Sequence, residues 1–265
     1  MLDEHEEASL GDAEPTNLKS SMERRQPIAK HIGTSIIGHA LAVVLPDECV
    51  ACGTPLETAY ERRICAACWL SARRLSEPLC TCGYPLADTD SQCAACAAVP
   101  SLFQRGRSVF VYESPIREII HAFKYGGHRS LARQLVRHST NTLTPASDGI
   151  LVPVPSHWWT KWKRGFNPAD DVARELAHRW NLNVKRVLRK VKRTLPQMAL
   201  TARERTVNLR GAFALRGGAA RVVRGRYIIL IDDVYTTGST LRECAGVLSR
   251  AGAKRIDFLT MARTL

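Results

Sequence analysis

Apolar residues fall along this chain in two rhythms. Short unbroken runs, Ile150 to Val154 and Tyr227 to Ile231, suit parallel strands buried on both faces. Ser108 to Tyr112, Val184 to Leu188 and Arg255 to Met261 are further strand candidates. Between them the apolar positions return at helical spacing. Pro115 to Phe123 opens with proline in the first turn and ends at Lys124-Tyr125-Gly126-Gly127. Leu131 to Val136 follows, and Asn167-Pro168 starts a helix with Val172, Leu176, Ala177 and Trp180 on its apolar face. Leu241 to Ala251 is the last. This alternation predicts an α/β fold, a parallel sheet flanked by helices, with ligand at the carboxyl ends of the strands.

The first third of the chain lacks that rhythm. Met1 to Lys30 carries Asp3, Glu4, Glu6, Glu7, Asp12, Glu14 and Glu23 without a periodic apolar face, and is expected to be a disordered extension. Gly33 to Leu45 reads as a short amphipathic or core-docking helix stopped by Pro46. Arg24-Arg25 precede it without an obvious small-residue cleavage site, and no apolar stretch is long enough to cross a bilayer. The expected organisation is an extension over 1–32, a helix plus small cysteine-rich module over 33–100, and an α/β domain over 101–265. At 265 residues, 45% of them hydrophobic, the chain can bury one medium core beside something smaller.

Chemistry concentrates at Tyr227 to Thr240, YIILIDDVYTTGST. The apolar strand ends in Asp232 and Asp233, where it is expected to leave the sheet. Thr236-Thr237-Gly238-Ser239-Thr240 then precedes a helix, whose free amides and dipole favour an anion. Gly238 permits close approach of backbone to ligand, the hydroxyls can donate to phosphate oxygens, and the two acids can accept from a diol or hold a hydrated magnesium ion. The plainer alternative is an acidic turn followed by Ser239 or Thr240 as a helix cap, which accounts for one hydroxyl and leaves the rest of the string unexplained.

Eight of the nine cysteines lie between Cys49 and Cys96. Cys49-x2-Cys52 and Cys65-x2-Cys68 have zinc-ribbon spacing, in which two intervening residues let both sulfurs reach one tetrahedral ion. Cys80-x-Cys82 and Cys93-x2-Cys96 form a second set whose first pair is one residue short. Either Cys80 and Cys82 ligate with altered geometry, or one of them binds, or metals are shared in crossed pairs. Disulfides are the alternative; repeated close pairs without a convincing export signal favour structural zinc in a reducing compartment. Cys244, alone on the last helix, is expected to be a buried packing thiol.

The formal net charge of +13 points to polyanionic ligands or partners. Two stretches carry much of it. In HWWTKWKRGFN, Trp158, Trp159 and Trp162 interleave with Lys161, Lys163 and Arg164, a pattern that can stack on bases while cations meet phosphates, or pack blandly on the domain. Arg189 to Arg210 is the other, with Arg203 and Arg205 beside Gln197 and Asn208.

The 227–240 stretch resembles the phosphoribosyl pyrophosphate signature of type I phosphoribosyltransferases. Taken with the cysteines, Lys124-Tyr125-Gly126-Gly127, Val152-Pro153-Val154-Pro155, Arg164-Gly165-Phe166-Asn167, Gln197 and Arg203 to Arg210, the chain resembles the ComF-type competence family over roughly 45–265. The short Cys80 pair and Pro168, where glutamine would be expected, depart from that pattern. The resemblance implies that Asp232 and Asp233 hold the ribose of magnesium-bound phosphoribosyl pyrophosphate. It also implies that Thr236, Thr237, Gly238, Ser239 and Thr240 hold the 5′-phosphate, and that Pro155 and Ser156 with Lys161, Lys163 or Arg164 hold the leaving diphosphate. Trp158, Trp159, Trp162, Lys163, Arg203 and Arg205 would face nucleic acid or the acceptor.

It implies as well a cytoplasmic role, at the inner face of the membrane, in natural transformation or the use of external DNA. The expected partners are single-stranded DNA and a DNA helicase or another transformation protein. Purine phosphoribosyltransferases carry an aspartate where Thr236 stands, and threonine cannot act as a base near neutral pH, so hypoxanthine and guanine salvage is not expected. The rival reading is a catalytically weak sensor of phosphoribosyl pyrophosphate that works as a DNA- or helicase-binding module.

Overall fold

The computed structural model describes residues 47–56, 63–89, 92–99, 101–139, 142–156, 165–192 and 208–265. The extension, the Gly33 to Leu45 helix, Lys161, Arg164, Trp158, Trp159, Trp162, Lys163, Gln197, Arg203 and Arg205 lie outside the described residues. From Pro46 onward the chain is one compact unit.

Two short helices, α1 (Ala66–Ser71) and α2 (Ala94–Ala98), belong to the cysteine-rich part. Then come β1 (Arg105–Val111), α3 (Ile116–Tyr125), α4 (Leu131–Arg137), β2 (Ile150–Pro153), α5 (Pro168–Trp180), β3 (Asn183–Val184), β4 (Leu188–Lys190) and β5 (Phe213–Leu215). The chain closes with α6 (Ala219–Val223), β6 (Tyr227–Tyr235), α7 (Ser239–Arg250) and β7 (Arg255–Arg263). Five strands form a parallel sheet in the order β1-β7-β6-β2-β3, while β4 and β5 form a separate antiparallel pair.

The apolar runs divide by parity between the two faces, as a pleated strand requires. Leu151, Ile229, Ile231, Leu259 and Met261 join α3, α4 and α5 in one core. Ile150, Val152, Ile228, Leu230, Ile256 and Phe258 join α7 and the β4–β5 pair in the other. Both faces are therefore covered, which is why these strands read as continuous apolar runs.

Two expectations need correction. Asp232 and Asp233 do not mark the strand's exit, because β6 continues to Tyr235 and pairs with β7 throughout, Asp232 opposite Thr260 and Tyr235 opposite Arg263. Its ladder to β2 does stop earlier, at Ile231 opposite Pro153. The carboxylates thus stand where β6 is held on one side only. Val184 to Leu188 is not one strand either: Lys185 donates its N–H to the Leu151 carbonyl, and the chain then leaves the sheet so that Leu188 can pair with Leu215.

The outer edge of β1 is closed by the cysteine-rich part. Val111 N–H donates to the Arg73 carbonyl (2.9 Å), Leu75 N–H to the Val109 carbonyl (3.0 Å) and Gly106 N–H to the Thr81 carbonyl (2.6 Å). These bonds satisfy donors and acceptors that an open edge would offer to other chains.

Candidate phosphate site and metal centres

At the carboxyl end of the sheet, β2 and β6 deliver their loops side by side. Val154 N–H donates to the Ile231 carbonyl (2.9 Å), which sets Pro155 and Ser156 next to Asp232 and Asp233. The Ser156 hydroxyl is buried and has no hydrogen-bond partner among the described residues. Asn167, at the start of α5, is buried and donates its side-chain amide to the Val154 carbonyl (3.0 Å), pinning the same loop from the other end. That use explains why Asn167 makes no side-chain cap to α5, whose first position is Pro168.

Thr236 to Thr240 leads into α7. The helix cap is Gly238, at φ +70°, and not Ser239 or Thr240. Ser239 is the first helical residue, and its hydroxyl lies 2.9 Å from that of Thr237. Gly238 has no room for a side chain: a Cβ there would stand 2.2 Å from the Tyr235 hydroxyl. The loop backbone therefore rests on the Tyr235 ring.

Sequence reasoning missed one site residue. Lys124, in the last turn of α3, places its Nζ 2.7 Å from Asp233 Oδ1, with both side chains largely buried. Burial works against that lysine's charge, yet the Asp233 and Asp232 carboxylates hold its pKa above the usual range. In the sequence this lysine stands only at the end of a helical pattern and within a motif of the family resemblance, with no role assigned to it. Burial, with Asp233 alongside, pushes the Asp232 carboxyl up to about 8. Lys190 of β4 also feels Asp232, and burial draws its own pKa down. The site thus has two carboxylates, two lysines, an unpaired hydroxyl and a helix N-terminus. It can hold a polyol through the acids and phosphate through the loop, and the partly protonated Asp232 would be drawn back to its anion by a divalent cation.

The basic run is partly structural. Arg189 reaches the Leu215 carbonyl, Lys192 the Arg210 carbonyl (2.9 Å), and Lys190 stands over the Phe213 ring, so these cations fasten the β4–β5 pair.

The cysteines gather as two quartets, Cys49, Cys52, Cys65 and Cys68, and Cys80, Cys82, Cys93 and Cys96. In each, all four sulfurs lie within 4.8 Å of one another. Four thiolates at about 2.3 Å from zinc would have sulfurs about 3.8 Å apart. Cys49 and Cys68 are at 3.8 Å, Cys52 and Cys65 at 3.7 Å, and Cys82 and Cys93 at 3.5 Å. The donor set suits zinc, and of the three arrangements left open for the second set the structure has altered knuckle geometry, uncrossed.

The alteration is small and local. In the first knuckle Gly53 N–H donates to the Cys49 carbonyl; in the second Gly83 N–H donates to the Cys80 carbonyl, a turn shorter by one residue. Both glycines keep positive φ, +75° and +77°. Cys65 and Cys93 cap α1 and α2, and each points its N–H at the first sulfur of its quartet, Cys49 or Cys80. The two units are one design used twice.

A parallel sheet flanked by helices, with a hydroxyl-rich loop after an acidic strand end and a paired-cysteine module in front, defines a phosphoribosyltransferase-type domain behind a zinc ribbon. Residues 162–264 match the phosphoribosyl transferase domain family, and residues 40–97 match the double zinc ribbon domain family. The chain belongs to the family of competence protein F and DNA utilization protein YhgH. It is 32% identical to DNA utilization protein YhgH of Salmonella typhimurium over 84% of this chain and 100% of that one. Competence protein F of Haemophilus influenzae is 31% identical over 81% of this chain and 96% of its own length. Competence protein ComFC of Bacillus subtilis is 25% identical over 77% and 85%. Among the described residues no helix is long and apolar enough to cross a membrane.

Proposed function

We propose that this protein binds magnesium-complexed phosphoribosyl pyrophosphate between β2 and β6, and serves the use of external DNA on the cytoplasmic side. The observation that carries the reading is the meeting of Pro155-Ser156, Asp232-Asp233 and Thr236 to Thr240 at one end of the sheet, with Lys124 on Asp233. The names of the relatives support the physiological part.

In this reading Asp232 and Asp233 accept from the ribose hydroxyls, and the amides and hydroxyls of Thr236 to Thr240 surround the 5′-phosphate. The Ser156 hydroxyl meets the diphosphate, with Lys161 and Arg164 as further diphosphate ligands. Magnesium would supply charge neutralisation on the diphosphate, and Asp232 and Asp233 would be the side chains that hold its water shell. Lys124 restrains Asp233 before ligand arrives. If transfer occurs, an acceptor displaces pyrophosphate at the anomeric carbon, and stabilising that leaving group is the main catalytic contribution. Thr236 provides no base, so the acceptor must bring a nucleophile that needs none.

Thr236 also favours a second reading, in which the same site senses phosphoribosyl pyrophosphate while Trp158, Trp159, Trp162, Lys163, Arg203 and Arg205 engage single-stranded DNA or a helicase. Calorimetric titration with phosphoribosyl pyrophosphate and magnesium, beside Asp232→Asn/Asp233→Asn, tests the common core. Binding should be lost in the double variant, and failure of the zinc-loaded wild type to bind would refute both readings. Pyrophosphate release with candidate acceptors then separates transferase from sensor. Steep weakening of DNA binding with salt would mark the module.

A further inference from the structure

We infer that Arg263 is a positioning residue that couples the second cysteine quartet to the loop Thr236 to Thr240, so that the metal state of that quartet sets how well the loop holds a phosphate monoester. The ligand part of this inference rests on the reading above; the coupling does not.

Arg263 ends β7 and is 4% exposed. Its Nη1 donates to the Cys82 carbonyl at 2.8 Å, inside the second knuckle. Its guanidinium lies between two rings, 5.2 Å from the centroid of Tyr84, two residues after Cys82, and 4.6 Å from that of Tyr235. Tyr235 is opposite Arg263 in the β6–β7 ladder and stacks on Phe258 at 5.3 Å and 19°. Its hydroxyl is the atom on which Gly238 rests, as the 2.2 Å reach of a Cβ demonstrates. From Cys82 through Arg263 and Tyr235 to Gly238, each group touches the next.

Two further bonds anchor the same corner. Thr264 N–H donates to the Tyr235 carbonyl (3.0 Å), and the Thr264 hydroxyl donates to the Thr236 carbonyl (3.4 Å).

Simple packing does not ask for arginine here. A buried guanidinium is costly to desolvate, and Arg263 Nε has no partner among the described residues. An apolar side chain could fill the space between two tyrosines. What arginine adds is directional attachment to the Cys82 carbonyl with a flat cation that both rings can stack against. The Cys82 carbonyl lies within the knuckle and is held at its neighbours by the bonds of Thr81 to Gly106 and of Cys80 to Arg107. Four clustered thiols hold the knuckle's own shape best around a metal ion. When the quartet opens, the carbonyl moves, Arg263 loses its fixed point, and Tyr235 no longer supports Gly238 rigidly.

The test compares wild type, Arg263→Met, Tyr84→Leu and Cys96→Ser in the full chain, with zinc content measured for each. Ribose 5-phosphate reports on the loop, and magnesium pyrophosphate reports on the other half of the site. Ribose 5-phosphate should bind roughly five- to tenfold more weakly in all three variants, with magnesium pyrophosphate unchanged. Arg263→Met combined with Cys96→Ser should be no worse than either alone, since both cut one path. Tyr84 is 37% exposed, so its variant carries the test if Arg263→Met does not fold. Amide hydrogen exchange over residues 236–240, measured without ligand, should quicken in every variant. Unchanged exchange there, or additive losses in the double variant, would overturn the coupling. Quickened exchange in a protein that binds neither probe would uphold it and reject the ligand assignment instead.

Discussion

The two cysteine units share a positive-φ glycine, a cysteine helix cap and a sulfur arrangement, yet they are built into the protein differently. The first is continuous with the main core: Cys49, Ile64, Cys68 and Ala72 are buried together with α3, α4 and α5, and Trp69 packs against them. The second has a core of its own, Cys80, Cys82 and Cys93 with Leu86 and Cys96 beside them. Polar bonds attach it. Arg107, 7% exposed, donates to Glu77 (2.9 and 3.2 Å) and to the Cys80 carbonyl (3.2 Å), and Arg263 donates to Cys82. One copy is fused to the domain by burial and the other is held by directional contacts. A duplicated unit can thus acquire two mechanical roles without changing its metal chemistry.

The sharpest way to break this contrast is to remove one ligand from each unit. Cys68→Ser opens a site that is part of the main core and should cost about 3–5 kcal/mol, with loss of soluble protein or a much lower melting temperature. Cys96→Ser should release one zinc and leave the α/β domain folded; equal destabilisation by the two variants would erase the distinction.

A second prediction concerns the sheet end that the second unit supports. The Asp232 pKa is raised in the folded, ligand-free protein, so its contribution favours folding below the unfolded carboxyl value, near 3.8, and is lost as pH rises through about 8. Stability should fall by about 2 kcal/mol across that window, less than the whole shift implies because the carboxyl is partly open to water. Asp232→Asn should flatten the slope in thermal melts taken from pH 5 to pH 9, while Cys96→Ser leaves it in place.

Arg107→Met should cost about 1–3 kcal/mol, with the loss confined to the second unit. A chelator titration should then strip one zinc well before the other. The paired glycines give a finer comparison. Alanine is strained by positive φ at both, but at Gly53 a Cβ meets nothing within 4 Å, whereas at Gly83 it would stand 2.7 Å from the Gly106 carbonyl oxygen of β1. Gly53→Ala should cost about 1 kcal/mol and Gly83→Ala about 2–3 kcal/mol by denaturant melts. Smallest of all is Arg73→Ala. Its pair with Glu113 (2.9 Å) is exposed on both sides, and its removal should change stability by less than about 0.5 kcal/mol.

Much of this could be read from residues because the causes are local. Tyr227 to Ile231 announces a doubly covered strand, and the close cysteine pairs announce a knuckle at each place. What escaped was set by neighbours far away in sequence. Asp232 to Tyr235 looks like a loop, yet β7 holds it in the ladder. Val184 to Leu188 looks like one strand, but Leu151 and Leu215 pull its two ends into different sheets. Lys124 carries no mark of its partner, because only the docking of α3 brings it to Asp233. The short Cys80 pair signals an altered turn but not which turn, since that depends on the N–H of Gly83.

Cys244 lies in α7 with no exposure at all, and burial pushes its thiol well above the usual range. It is therefore slow to meet any thiol reagent while the domain is folded. The other eight cysteines are the two quartets. A colorimetric thiol assay on native protein consequently starts from a dark background and brightens only as metal leaves, four sulfhydryls for each ion. The chain carries its own gauge of zinc occupancy, with the ninth cysteine silent until the sheet itself comes apart.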